Sequence, residues 1–166
     1  MSARLVFLFI FLACAGLMGF GLYLQHALNL QPCPLCIFQR YAFVATGAIA
    51  LVAAIHGPGR TGQAVYGVLT VLAAGTGAAI AGRQTWLQHN PPSIFECGPD
   101  LEYLLDSFPL TKVLPMIFQG EGDCAKAGWT FVGLSIAEWA LLWFAAFLLA
   151  GLYCLLVRPH RSVFRA

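Results

Sequence analysis

Four apolar segments, each long enough to cross a lipid bilayer, constrain the fold of this chain more than any other feature. A helix needs about 20 apolar residues to span the bilayer core. The chain is 60% hydrophobic and only 10% charged, whereas soluble domains have about a quarter of their residues charged. We therefore predict an all-α membrane protein, a single bundle of four transmembrane helices over residues 1–166. The predicted helices run from Leu5 to Leu24, from Ile37 to Ile55, from Gln63 to Gly82 and from about Ser135 to Val157.

The distribution of charge predicts how the bundle is oriented. Arginines precede helix one and connect helices two and three, and more arginines follow helix four. All seven acidic residues lie between helix three and the first residues of helix four. Short basic flanks mark the cytoplasmic side, so we predict cytoplasmic termini and two outer loops, at approximately 25–36 and 83–134. The first apolar run exceeds the usual signal core of about 7 to 15 residues, and we interpret it as a retained helix. The arginines used here are Arg4, Arg60, Arg158, Arg161 and Arg165.

A Cys-x-x-Cys pair lies where the first outer loop meets helix two. If this helix begins near Pro34, the proline occupies a first-turn position where its missing N–H costs nothing. Cys36 would then lie in the first turn, with Arg40 one turn further on. Unpaired backbone N–H groups and a nearby guanidinium both favour a thiolate over a thiol. The spacing predicts a redox-active pair, Cys33 and Cys36, at the membrane surface.

Each of these residues also has an interpretation that involves no redox chemistry. A Cys-x-x-Cys pair is also half of a zinc site, but the sequence offers no second pair of that kind, and we expect no metal. Arg40 fits a snorkelling arginine bound to lipid phosphate. His89, at the polar end of helix three, suits a ligand carbonyl or proton exchange near neutral pH, and a solvated histidine fits nearly as well.

The remaining cysteines divide into two kinds. Cys97 and Cys124 lie in the long outer loop, on the oxidising side where disulfides persist. They suit either a structural staple or a second redox pair. Cys14 and Cys154 lie within helices one and four, where a cysteine behaves as a small hydrophobe. We expect no chemistry from those two.

Three further segments carry structural predictions. Residues 101–108 have leucines and a phenylalanine at i, i+3, i+4 and i+7, a pattern that predicts a short amphipathic helix on the membrane. Residues 73–79 of helix three are almost all alanine and glycine. Small residues let membrane helices approach closely, which predicts a tightly packed central helix. The proline-containing stretch 90–99 is expected to be extended and to lie in a groove of a partner.

Together, these motifs resemble the DsbB family of bacterial inner-membrane proteins, which re-oxidise the periplasmic thiol oxidase DsbA. The resemblance covers nearly the whole chain. Family members often carry an acidic residue before the arginine, but this chain has Gln39, so no carboxylate role is carried over. The motifs are Cys33-Pro34-Leu35-Cys36 with Arg40, Gly122-Asp123-Cys124-Ala125, Trp129, and Phe131-Val132-Gly133-Leu134.

The resemblance implies a mechanism. Reduced DsbA would attack a Cys97–Cys124 disulfide through Cys97, forming a transient mixed disulfide. Cys124 would then attack Cys33, and Cys36 would leave as a thiolate. A quinone, either ubiquinone or menaquinone, would accept the electrons, with a carbonyl near Arg40 and His89 and with helices one, two and four around it. Membrane lipid is an expected partner and nucleic acid is not.

Two other functions remain to be distinguished. A vitamin-K-epoxide-reductase-like oxidoreductase shares the Cys-x-x-Cys motif and a helical bundle, but its active motif ordinarily lies late in the chain, whereas here it lies early. A non-enzymatic membrane scaffold would use Cys97 and Cys124 as a staple. Thiol trapping with reduced DsbA or reduced quinone separates them, because a staple would stay oxidised.

Overall fold

The protein is a bundle of four long helices with a small hairpin before the last one. A computed structural model describes residues 3–29, 32–90, 109 and 129–156. Each of the four helices is long and apolar enough to cross a membrane, which confirms the predicted four-helix membrane fold. The elements are α1 (Ala3–Ala27), α2 (Pro34–His56), α3 (Arg60–His89), β1 (Thr130–Phe131), β2 (Leu134–Ser135) and α4 (Ile136–Leu156).

Helices α1, α2 and α3 extend beyond their predicted apolar cores, whereas the described α4 lies within its predicted range. The largest difference is in α3, which continues through 83–89, residues that the sequence placed in the outer loop. Hydropathy locates only the part of a helix that crosses hydrocarbon, and a helix continues into the polar interface as long as its backbone is paired. The N–H of Asn90 donates to the carbonyl of Trp86 at 2.9 Å and so extends this pairing to the end of α3.

The hairpin before α4 was not predicted. Its strands β1 and β2 pair antiparallel, with Thr130 opposite Ser135. Val132 and Gly133 form the turn with φ of 53° and 79°, the left-handed conformation that two-residue hairpin turns need. Valine rarely adopts a positive φ, so its presence concealed the turn in the sequence.

The helices pack in chain order. Helix α1 packs on α2, α2 on α3, and α3 on α4, whereas α1 and α4 make little contact. The core contains a stacked pair, Phe43 of α2 and Phe144 of α4, with ring centroids 4.1 Å apart. Beside it lies Gly77 of α3, where an added Cβ would come within 2.3 Å of the Phe144 ring. The expectation of a tightly packed central helix is confirmed.

The two ends of the bundle have different chemistry. At one end, the Nε of Arg4 donates to the carbonyl of Ala54 at 2.8 Å, next to the short connection that leads to Arg60. At the other end, Ser135 and Glu138 cap α4 reciprocally. The Ser135 N–H donates to Glu138 Oε2 at 2.6 Å and the Glu138 N–H donates to Ser135 Oγ at 3.3 Å, a capping box. Ser135 Oγ also donates to Gln88 Oε1 at 2.7 Å, which fastens α4 to α3.

The two intrahelical cysteines lie inside the bundle. Cys14 is 3% exposed and Cys154 is 2% exposed, and Cys14 belongs to the same apolar cluster as the stacked phenylalanines. This packing agrees with the expectation that they act as small apolar side chains.

Candidate active site

The Cys-x-x-Cys pair lies at the first turn of α2. Cys33 is the N-cap residue, and its sulfur accepts the N–H of Cys36 at 3.3 Å. Pro34 follows as the first helical residue, which is the helix start on which the sequence argument for a Cys36 thiolate was conditional. The Cys33 thiol donates to Cys36 Sγ at 2.8 Å. The helix start thus holds both sulfurs together, so that forming or breaking a bond between them needs little backbone movement.

A second polar group reaches the same sulfurs from α3. Gln84 Nε2 lies 3.3 Å from Cys33 Sγ and 3.2 Å from Cys36 Sγ. The other end of this amide, Oε1, accepts a hydrogen bond from Gln39 Nε2 at 2.6 Å. Both glutamines are 4% exposed. The site is therefore built at the contact between α2 and α3, with two buried amides beside the cysteines.

Sequence reasoning did not identify Gln84 as a site residue. The sequence did indicate that an amide lies near the cysteines, because Gln39 follows Cys36 by three residues and such neighbours share a helix face. A buried amide in a membrane helix is costly and is commonly functional. The partner on α3 could not be identified without knowing which faces of α2 and α3 meet.

Arg40 lies one turn below Cys36 and is attached to α1. Its Nη1 donates to Gln25 Oε1 at 2.6 Å and its Nη2 faces the carbonyl of Gly21 at 3.4 Å. A guanidinium this close in the helix favours the thiolate form of a cysteine. Two groups of α1 hold the guanidinium, and its assignment to a ligand site stays a prediction.

His89 lies beside α4. Its Nδ1 is 2.9 Å from the carbonyl of Thr85, and its Nε2 is 3.7 Å from Glu138 Oε1. The side chain is 65% exposed. The residue of α3 that reaches the sulfurs is Gln84, and a role for His89 in ligand binding stays a prediction.

The second cysteine pair lies outside the described part of the chain. Cys97 and Cys124, the amphipathic segment 101–108 and nearly all of the stretch 90–99 fall in residues that the structure does not describe. Their assigned roles stay predictions.

The fold and the site define a class of protein, a multi-pass membrane protein with a thiol–disulfide centre at one end of a helical bundle. The family model "Disulfide bond formation protein DsbB" matches residues 3–154. The chain belongs to the DsbB family.

Individual relatives agree with this assignment. A disulfide bond formation protein B of Aromatoleum aromaticum is 60% identical over 141 residues, 85% of either chain. One of Azoarcus sp. is 57% identical over 160 residues, 96% of either chain. One of Marinobacter nauticus is 43% identical over 95% of either chain. The similarity covers nearly the full length of these proteins.

Proposed function

We propose that this protein re-oxidises a DsbA-type thioredoxin-fold protein and passes the electrons to a membrane quinone, so that disulfide bonds continue to form in secreted proteins. The observation that carries the proposal is the contact between Cys33 and Cys36 at the first turn of a membrane-spanning helix. Relatives named for disulfide bond formation support it. The vitamin-K-epoxide-reductase-like and scaffold alternatives are not favoured by the family assignment.

The thiol steps follow from exchange chemistry and from the family resemblance. A thiolate of the partner attacks Cys97 in a Cys97–Cys124 disulfide, and Cys124 is released. Cys124 attacks Cys33, the Cys33–Cys36 bond breaks, and Cys36 leaves as a thiolate. When the partner's second thiol displaces Cys97, the partner leaves oxidised, and Cys97 then displaces Cys33 to re-form its bond with Cys124. Each step exchanges one disulfide for another, so the two electrons move to the Cys33–Cys36 pair, and the rate depends on the attacking and leaving thiols.

The residues around Cys36 fit a quinone as the final acceptor. A quinone supplies a carbonyl-bearing ring that takes up two electrons and two protons. Arg40 carries five N–H donors, and the hydrogen bonds described to Gln25 and Gly21 use two of them. The guanidinium would bind a carbonyl oxygen and hold it near Cys36, while the apolar helices exclude water. Ubiquinone and menaquinone both present this chemistry.

Charge placement supports an orientation in the bacterial inner membrane. Arg4 and the Arg60 connection share one end of the bundle, and Cys33 and Cys36 lie at the opposite end. Basic residues in short flanks favour the cytoplasm. The termini would then be cytoplasmic, and the cysteines would face the oxidising periplasm.

The direct test measures quinone reduction by the purified protein with a reduced DsbA-type protein as the electron donor. We expect catalysed loss of quinone absorbance together with oxidation of the donor in equal amounts. If neither ubiquinone nor menaquinone is reduced above the rate without protein, the proposal fails.

Arg40→Ala should raise the KM for quinone by about tenfold to a hundredfold, because a hydrogen bond to a charged donor contributes about 1.5–3 kcal/mol. The assay varies quinone at a saturating donor concentration. Arg83→Ala is the matched control, since Arg83 lies near the same end of the bundle, stacked on Trp86 at 4.7 Å. Equal KM values for wild type and Arg40→Ala would remove Arg40 from the quinone site, and an equal rise in both variants would point to a general effect of interfacial charge.

A further inference from the structure

The buried amide pair beside the cysteines has a definite direction. Gln84 has one end that donates hydrogen bonds and one that accepts them. Gln39 Nε2 is a donor and lies 2.6 Å from Gln84 Oε1, so the accepting end of Gln84 faces Gln39. The donating end therefore lies closest to Cys33 and Cys36, at 3.3 Å and 3.2 Å from the two sulfurs. Oε1 is also 3.6 Å from Cys36 Sγ, a longer contact that only a protonated Cys36 can make as a donor, because a thiolate has no hydrogen to give.

Burial makes this arrangement persistent. Each of the two glutamines is 4% exposed, so water does not replace either hydrogen bond readily. An unpaired amide group in such surroundings costs about 1–3 kcal/mol. Turning Gln84 alone would place its Nε2 against Gln39 Nε2, which are two donors. It would also place its Oε1 against a Cys36 thiolate, which are two acceptors.

We propose that Gln84 stabilises the reduced form of the Cys33–Cys36 pair by donating to its sulfurs, and that Gln39 is the positioning residue that fixes the direction of this donation. The proposal rests on the redox role proposed above for the cysteine pair. In this proposal, two neutral side chains on neighbouring helices help to determine how strongly oxidising the Cys33–Cys36 pair is.

The chemistry of the step explains why a donor matters. On reduction, the Cys33–Cys36 bond breaks, two electrons enter from a thiol reductant, one proton goes to Cys33 Sγ, and Cys36 is left as a thiolate. The negative charge accepts hydrogen bonds from the Cys33 thiol and from Gln84 Nε2. The disulfide carries no such charge, so the donor stabilises the reduced state preferentially. A couple with a stabilised reduced state is a stronger oxidant.

The test uses the full-length protein in detergent, equilibrated with glutathione buffers of known ratio, in a background where Cys97 and Cys124 are replaced by alanine. The fraction of the Cys33–Cys36 pair that is reduced is read by thiol alkylation and mass spectrometry. For Gln84→Leu we expect the equilibrium constant for reduction to fall by about tenfold to a hundredfold, as loss of a hydrogen bond to a charged group implies. Gln39→Leu should lower it by a smaller factor, because Gln84 keeps its amide but loses its fixed direction.

Gln39→Glu tests the direction in which Gln84 donates its hydrogen bonds. An ionised carboxylate only accepts hydrogen bonds, so it would draw the NH₂ group of Gln84 away from the sulfurs. We expect the equilibrium constant to fall at least as far as in Gln39→Leu. A constant equal to that of wild type in Gln39→Glu would overturn the role assigned to Gln39.

Gln63→Leu is the matched control. Gln63 is also a 4% exposed glutamine of α3, but it lies at the opposite end, where its Nε2 donates to the carbonyl of Cys154 at 2.8 Å. This variant should lose stability without changing the equilibrium constant. If Gln84→Leu does not fold, Gln84→Met supplies the same measurement with an unbranched side chain.

The outcomes separate this inference from the proposed function. If Gln84→Leu and Gln84→Met leave the equilibrium constant unchanged while wild-type protein reduces quinone, the amide inference fails and the function stands. If wild-type protein does not reduce quinone but the constant still falls in these variants, the amide inference stands alone.

Discussion

Cys36→Ala is expected to reduce electron transfer from a DsbA-type donor to quinone to the rate without protein, and Cys33→Ala to do the same. The two sulfurs are in contact at 2.8 Å, so they form one centre that fails when either is removed. In the proposed mechanism, Cys36 is the thiolate that delivers electrons near Arg40, and Cys33 is the sulfur that the incoming thiolate attacks. Turnover is measured by quinone absorbance with reduced DsbA-type protein in excess.

The chain contains its own controls for this experiment. Cys14→Ala and Cys154→Ala remove buried thiols that lie away from the pair, beside Gly47 and Gln63 respectively, and turnover in both should stay close to that of wild type. Retained turnover in Cys33→Ala or Cys36→Ala would contradict the assignment of the centre. A comparable loss in all four variants would indicate that folding, and not electron transfer, had been disturbed.

Gly77→Ala should lower the free energy of unfolding by about 1–3 kcal/mol, the usual cost of forcing an extra carbon into a packed core. An added Cβ would lie 2.3–2.7 Å from three atoms of the Phe144 ring. This ring is fully buried and stacks on Phe43, so it cannot turn aside without losing the stack. Equilibrium unfolding in mixed micelles measures the change.

Two further variants test whether the contact with the Phe144 ring causes the loss of stability. At Gly16, an added Cβ would meet nothing within 4 Å, so Gly16→Ala should leave stability unchanged or raise it slightly. Adding Phe144→Leu to Gly77→Ala should cost less than the sum of the two single changes, since neighbouring sites are coupled. Strict additivity, or equal stability of Gly77→Ala and Gly16→Ala, would show that the ring contact is unimportant.

The helical part of the fold was predictable because hydropathy and length together determine which segments cross a membrane. The start of α2 at Pro34 was considered but not predicted, since hydropathy located only the apolar core from Ile37, although a proline suits the first helical turn. The extension of α3 to His89 could not be predicted, because polar residues at an interface have the same composition whether they continue a helix or form a loop. The turn at Val132 was not predicted, because a β-branched residue rarely has a positive φ.

The site was only partly predictable for a different reason. Cys33, Cys36 and Arg40 lie within eight residues of the chain, so local spacing was enough to group them. Gln84 is 48 residues from Cys36, and only the contact between α2 and α3 brings it to the sulfurs. Sequence spacing gives the residues of one helix face, whereas a site shared by two helices also requires their relative rotation.

Helix α1 packs mainly on α2 and makes little contact with α4, although aromatic contacts also join α1 to α3 and α2 to α4. Arg40 is fastened to α1 through Gln25, and that helix is free of the extensive packing that joins α3 to α4. An acceptor dissolved in the bilayer would therefore exchange sideways, by diffusion in two dimensions. At a saturating donor concentration, turnover would then follow the mole fraction of quinone among the lipids, and diluting the membranes with buffer that contains the same donor concentration would leave it unchanged.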